Sequence, residues 1–259
     1  DIWSHKWVFT NGDYDADGTK LYAYLTVPEE AKIGVCCHEL GHLLFGFPDL
    51  YDTDYSSEGV GYWCLMGTGS WLGGGEIPAH PSAWCKLKQG WVTKKSPVGS
   101  SVLDIEDVKS SHTVYHLWKN AAAGNEYYLV ENRQKIKYDR DLPGEGLLIW
   151  HVDESIPTNS DEIHPKVSLV QSDGKKDLEN GSNRGDQGDP FPGTSDNKTF
   201  DALSTPNTNS YSGLDTCVKV QNISAPGAVM TAAVVTSCPT EDRSWSRKVR
   251  NWFSRFRFW

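Results

Sequence analysis

The chain has 259 residues, with 25 Lys/Arg against 34 Asp/Glu, a net charge of −9, and 11 Trp among 24 Gly. Its length supports one or two domains with substantial cores, and its aromatic, turn-rich composition excludes a disordered chain. Six Lys/Arg and two Asp/Glu fall in residues 239–259, so the rest of the chain is more acidic than the whole, which argues against nucleic acid as a partner.

No apolar run is long enough to span a membrane as a helix. The chain opens at Asp1 without a signal peptide or initiator Met, a pattern shared by processed and truncated chains. Residues 2–27 read as a hairpin: "IWSHKWVFT" and "TKLYAYLTV" are aromatic and β-branched, joined by "NGDYDADG". That loop begins like a calcium loop but carries Tyr24 where a twelfth-position Glu is required, so it reads as a polar turn. A helix is expected next, with Thr26 as N-cap, Pro28 in the first turn and Glu29 closing a capping box. It runs to about Phe45, where Gly46 can take the left-handed position that ends it. After a Gly- and aromatic-rich segment, "PSAWCKLKQ" reads as a short helix stopping at Gly90. From about Ser96 the texture changes. "HTVYHLW", "EYYLVENRQ", "GLLIWHVD", "KVSLVQS", "CVKVQNIS" and "VMTAAVV" read as strands between turn-rich loops, the pattern of an all-β sandwich. Six cysteines suit an oxidising compartment, and Cys217 and Cys238, flanking a hairpin, are the best-placed pair.

The chemistry concentrates in "CCHELGHLLFGFPDLYD", Cys36 to Asp52. On a helix, His38 and His42 lie one turn apart on one face and can reach one zinc ion. Catalytic zinc typically keeps three protein ligands and a water whose pKa it lowers, and Glu39 can take that water's proton and pass it to a leaving amine. A third ligand follows if the chain turns back at Gly46, and both Asp49 and Asp52 lie beyond that turn.

"HELGHLLFGFPDLYDTD", "GVGYWCLMGTGSW" and "PAHPSAWCKLKQGW" resemble the immune inhibitor A family of secreted zinc metallopeptidases, which is similar to the metzincins. The resemblance implies that His38, His42 and Asp49 are zinc ligands, that Glu39 is the general base, and that Met66 forms an apolar methionine turn beneath the metal. Here Gly46 stands four residues after His42 and Asp49 seven, one more than the common metzincin-like spacing. Asp52 is the alternative ligand, or a turn carboxylate. Downstream, "YYLVENRQ", "LPGEGLLIWHVDE", "HPKVSLVQSDGKKDLENG" and "GDQGDPFPG" resemble the same family. Within the last two, Asp173, Asp177, Asp186 and Asp189 sit on tight turns that suit calcium, a hard cation taking oxygen ligands.

The expected architecture is therefore α+β. The C-terminal part of a metzincin-like zinc peptidase domain (1–95) is followed by an all-β, sandwich-like domain (96–238) and a basic aromatic tail (239–259). The resemblance further implies a propeptide and the first part of the catalytic domain upstream. The expected function is a secreted, zinc-dependent endopeptidase acting on proteins or peptides. The rival is an inactive, zinc-containing module that binds protein or glycan. In the tail, Trp245, Val249, Trp252, Phe253, Phe256 and Trp259 recur at helical spacing among basic residues, a stripe compatible with an anionic membrane surface or with docking on the acidic body.

Overall fold

The computed structural model describes residues 3–238, so the tail and its membrane stripe lie outside the described residues. Strands β1 (His5–Val8) and β4 (Ala23–Thr26) pair antiparallel, and β2 (Tyr14–Ala16) with β3 (Thr19–Leu21) carries the hairpin to its tip. At that tip the Gly18 N–H donates to Asp15 Oδ1 at 2.8 Å, so the acidic loop serves a turn.

The register sets Thr26 opposite His5, which commits the Thr26 backbone to the ladder and removes it as a helix cap. The expected capping box therefore does not form. Pro28 and Ala31 close a turn instead (Ala31 N–H to Pro28 O, 3.0 Å), and helix α1 spans Ile33–Phe45, with Lys32 at its N-terminus making no side-chain cap. Its end is as the sequence predicts: Gly46 takes φ 66°, and the Gly46 and Phe47 N–H groups turn back onto the carbonyls of His42 and Gly41. Two short 3-10 turns, Gly61–Trp63 and Thr68–Gly75, flank Met66, and α2 (Ala83–Lys88) is capped by Ser82 Oγ, which accepts from the Cys85 N–H.

The remainder is two sheets. One has five strands in the order β10-β9-β8-β7-β5, comprising β5 (Thr93–Lys95), β7 (Thr113–Leu117), β8 (Glu126–Arg133), β9 (Gly146–Asp153) and β10 (Val167–Leu169). Only the β5–β7 pair is parallel. The other is an antiparallel sheet ordered β11-β12-β13-β6, comprising β6 (Ser100–Glu106), β11 (Thr199–Phe200), β12 (Lys219–Gln221) and β13 (Val229–Val235). A one-turn helix, α3 (Val108–Ser111), links β6 to β7.

Side-chain alternation explains how these layers stack. On β8 and β9, Tyr128, Val130, Leu147 and Ile149 face the four-stranded sheet, meeting Ile105, Phe200, Val220 and Met230. Their neighbours Leu129, Leu148, Trp150 and Val152 face the other way and join Trp63, Met66, Trp84 and Leu50 in a second core. Every residue of β9 is buried, because both faces of its sheet are covered, and it reads as a nearly continuous apolar run. By contrast β13 buries only Met230, Ala232 and Val234, on alternate positions. Packing is thus continuous across the change of sequence texture at residues 95–96. Cys217 and Cys238 are disulfide-bonded, whereas Cys36, Cys37, Cys64 and Cys85 are free thiols.

Candidate metal centre

Helix α1 presents His38 and His42 from consecutive turns, and the chain reversal at Gly46 returns Asp49 to them. His38 Nε2 and His42 Nε2 are 3.1 Å apart, and Asp49 Oδ1 stands 3.1 Å from the first and 3.0 Å from the second. Neighbouring ligand atoms on a tetrahedral zinc ion are separated by about 3.3 Å, so this triangle has the size of one tetrahedral face. Among the described residues it is the one group of three or more His, Cys, Asp or Glu whose ligand atoms converge this tightly.

Each imidazole is oriented from behind. His38 Nδ1 meets the Leu65 carbonyl at 2.9 Å, and His42 Nδ1 meets the Phe47 carbonyl at 2.6 Å. A carbonyl only accepts, so each Nδ1 carries the proton and each Nε2 offers its lone pair to the centre. Burial alone pushes the Asp49 carboxyl up, but whenever His38 and His42 carry a second proton on Nε2, their hydrogen bonds and charge outweigh it and hold the group well below the usual carboxylate range. An ionised Asp49 is the form that metal binding requires. Two nitrogens and a carboxylate oxygen with open space before them are a donor set that fits zinc.

Met66 is fully buried behind the same helix, α1. A Cβ on Gly41 would lie 2.6 Å from the Met66 sulfur, so the absence of a side chain at Gly41 lets α1 settle on this residue. The Met66 carbonyl accepts from the Leu50 N–H at 2.8 Å, which ties the segment carrying Asp49 to the methionine turn. Glu39, next to His38 and 5% exposed, lines the same cleft, a cavity of about 640 Å³.

Asp52 is placed elsewhere. Its Oδ1 accepts from the Asp54 N–H at 3.0 Å, and its Oδ2 accepts from the Ser57 N–H and from the hydroxyls of Ser56 and Ser57 at 2.9–3.0 Å. Its lone pairs are spent on its own turn. The acidic loop is also used locally. Asp186 Oδ1 accepts from the Gly188 N–H, Asp177 and Asp186 share Asn183 Nδ2, and Lys175 Nζ lies 2.8 Å from Asp173 Oδ2. Asp189 Oδ2 accepts from Trp63 Nε1 at 2.8 Å, docking this loop on the first core. Burial, then Asp186 and Asp173 nearby, pushes the Asp189 carboxyl up to about 7. Asp173, Asp177, Asp186 and Asp189 do not converge into a group as tight as the histidine site.

Several residues of the cleft escape sequence reasoning, Tyr51, Trp71 and Arg184 among them. Tyr51 stacks on the His38 ring with centroids 6.1 Å apart, and burial together with Asp49 pushes its phenol well up, so it stays protonated. Its position between Asp49 and Asp52 in "PDLYD" was the available signal. Trp71 and Arg184 also line the cleft, and the sequence gives no hint of either, because each reaches it only through tertiary folding.

Residues 1–99 match the profile of the "Immune inhibitor A peptidase M6, catalytic domain" family. A 102-residue alignment with the "Pre-pro-metalloprotease PrtV" of Vibrio cholerae serotype O1 (strain ATCC 39315 / El Tor Inaba N16961) is 42% identical and covers 33% of this chain and 11% of that protein. Another, over 85 residues of the "Immune inhibitor A" of Bacillus thuringiensis subsp. alesti, is 36% identical and covers 28% of this chain and 12% of that protein. The chain thus spans only about an eighth or less of the length of these relatives. Residues 1–99 are thus similar to the catalytic domain of the immune inhibitor A peptidase family.

Proposed function

We propose that this chain is the metal-bearing part of a secreted zinc endopeptidase that hydrolyses peptide bonds with Glu39 as general base. The observation that carries this reading is the convergence of His38 Nε2, His42 Nε2 and Asp49 Oδ1 in one cleft with Glu39 beside them. His38, His42 and Asp49 would hold the ion. When bound there, zinc supplies a Lewis acid that acidifies water and polarises a peptide carbonyl. The Glu39 carboxylate takes the proton from the attacking water and returns it to the amine nitrogen as the peptide bond breaks. Tyr51, held protonated beside Asp49, has a hydroxyl to donate to an oxygen of the substrate. Secretion is supported by the "pre-pro" form named for one relative and by the Cys217–Cys238 disulfide; among the described residues no helix is long and apolar enough to cross a membrane.

The test is zinc content measured beside hydrolysis of casein. Wild type is expected to hold stoichiometric zinc and to cleave. Glu39→Gln is expected to hold the same zinc and lose about 10²–10⁴-fold in kcat. Unchanged turnover in Glu39→Gln sinks the general-base role. A second reading, a zinc-containing module that binds protein or glycan, draws on the exposed apolar face of α1 at Leu40 and Leu44 and on the short span of the relatives that this chain covers. Stoichiometric zinc in a wild-type protein that cleaves no peptide would favour it.

A further inference from the structure

The wall of the cleft is not built from residues 1–99 alone. Arg184 belongs to the acidic loop beyond them and lines the same cavity as His38, Glu39 and Asp49. Its position is fixed at both ends. The Arg184 carbonyl accepts from the Tyr62 N–H at 2.7 Å, on the short turn that precedes Met66. A few residues on, Asp189 takes the Trp63 indole N–H, so the loop is fastened to that turn twice. The side chain is aimed by Glu58, whose Oε2 accepts from Arg184 Nε at 3.0 Å. This contact orients the planar guanidinium and leaves the side chain, one of those lining the cleft, 53% exposed. Lys6 on β1 is a second cation on the wall, and among the described residues it has no ion-pair partner.

Glu58 offsets the charge of Arg184 through Nε alone, and no other carboxylate among the described residues pairs with the two remaining guanidinium nitrogens or with Lys6. Asp49 is held by two imidazoles, and Glu39 is reserved for proton transfer. An extended peptide entering a cleft of this size meets a fixed, forked, permanently charged donor away from the metal ligands. Guanidinium recognises a carboxylate through two parallel N–H···O bonds, and these are among the stronger hydrogen bonds a site can offer.

We propose that Arg184 is a specificity-determining residue that takes a carboxylate of the substrate, so that cleavage favours peptides carrying an acidic group at one fixed distance from the scissile bond. The inference depends on the peptidase reading above. Its ligand chemistry has two sources, an Asp or Glu side chain or the free C-terminus of a short peptide.

The experiment uses two sets of fluorogenic peptides. In the first, C-termini are amidated and a single Glu or Gln is walked along an otherwise neutral sequence. In the second, the neutral sequence is compared as free acid and as amide. For wild type, kcat/KM is expected to favour Glu over Gln at one position, or acid over amide, by about tenfold or more, mostly through KM. Arg184→Ala should bring that ratio close to one. Arg184→Glu should invert it in favour of a Lys peptide, a gain that a merely misfolded variant cannot show. A wild-type ratio near one in both sets, or a ratio unchanged in Arg184→Ala, overturns the proposal. The same peptides are also titrated onto Glu39→Gln protein by fluorescence anisotropy. If nothing is hydrolysed, the peptidase reading fails, and the Glu/Gln ratio of Kd values still decides the role of Arg184.

Discussion

The metal cleft and the ionic network between α2 and β8 both bury charge, and they satisfy it by opposite means. In the network, Lys86, Lys109 and Arg133 face Asp107, Glu131 and Asp139, three cations against three carboxylates, each at most 8% exposed. Arg133 grips Asp139 with two bonds of 2.6 and 2.8 Å and reaches Glu131 at 3.2 Å. Lys86 donates to Glu131, and Trp150 Nε1 and the Lys109 ammonium fill further positions. At the metal centre the protein satisfies only the outer nitrogens of the imidazoles and aims the inner ligand atoms at one point. A closed network stiffens the joint between α2 and the five-stranded sheet, while an open triangle keeps its capacity for an ion. The comparison teaches that buried charge is a poor guide to function until its lone pairs have been followed to their partners.

A double dissociation should result. Arg133→Met leaves Asp139 and Glu131 buried without their main partner and should cost about 3–5 kcal/mol in urea denaturation, with zinc content per folded molecule unchanged. Asp49→Ala should do the reverse: zinc is lost, yet with chelator present its stability stays within about 1 kcal/mol of wild type, because the pair it removes is partly exposed. The contrast fails if Arg133→Met strips zinc from folded protein, or if Asp49→Ala unfolds as readily as Arg133→Met in chelator.

The network also predicts a pH dependence, smaller in size. His80 lies beside it, its backbone N–H donating to Asp139 Oδ1 at 3.0 Å. Burial, then the positive charge of Arg133, lowers its pKa from 6.5 to about 4. Its folded value lies below its unfolded value, so between these pH values the unfolded chain binds more protons. Stability should therefore fall on acidification from pH 6.5 to about 4, by up to about 3 kcal/mol in all. Asp139 acts in a separate window. Burial opposes its charge, but Arg133 prevails and depresses its carboxyl, so its contribution is present above pH 3.8 and lost only as pH drops through its lower folded value. His80→Gln should flatten the stability profile between pH 4 and 6.5 and leave the loss below pH 4 in place. A profile unchanged by that substitution would place the acid sensitivity elsewhere.

The same contrast governs what could be read from the sequence. The candidate metal centre was legible because its converging side chains lie on one helix and one turn. The four-residue spacing of His38 and His42 fixes their face, and Gly46 announces the reversal. What spacing alone left open was the choice between two aspartates. The structure separates them by partner, since Ser56 and Ser57 absorb the Asp52 carboxylate. The start of α1 was misread because Thr26 has two suitable roles, cap and strand residue, and pairing with His5 decides between them. Strand segments were legible as aromatic and β-branched runs, but the polar end of β8, "ENR", is wholly buried. Its partners include Lys86 on α2, Trp150 on β9 and the Ile105 and Gly227 carbonyls, each 19 or more residues away, so that no local pattern reports them, and Asp139 six residues on. Arg184 is the same case at the cleft.

The smallest expected effect concerns the floor of the metal centre. Met66 offers a thioether sulfur close to α1, and either of two roles fits a sulfur there: packing beneath the ligands or binding the ion. The geometry favours packing. The converging ligand atoms belong to His38, His42 and Asp49, and the Met66 sulfur presses on the helix backbone at Gly41. Leucine conserves the volume and removes the sulfur. Met66→Leu should therefore cost less than about 1.5 kcal/mol, retain stoichiometric zinc, and change zinc affinity only slightly in a competition titration with a chromogenic chelator. Loss of zinc from a folded Met66→Leu protein would make the sulfur a ligand and move the boundary between the closed core and the open site by one residue.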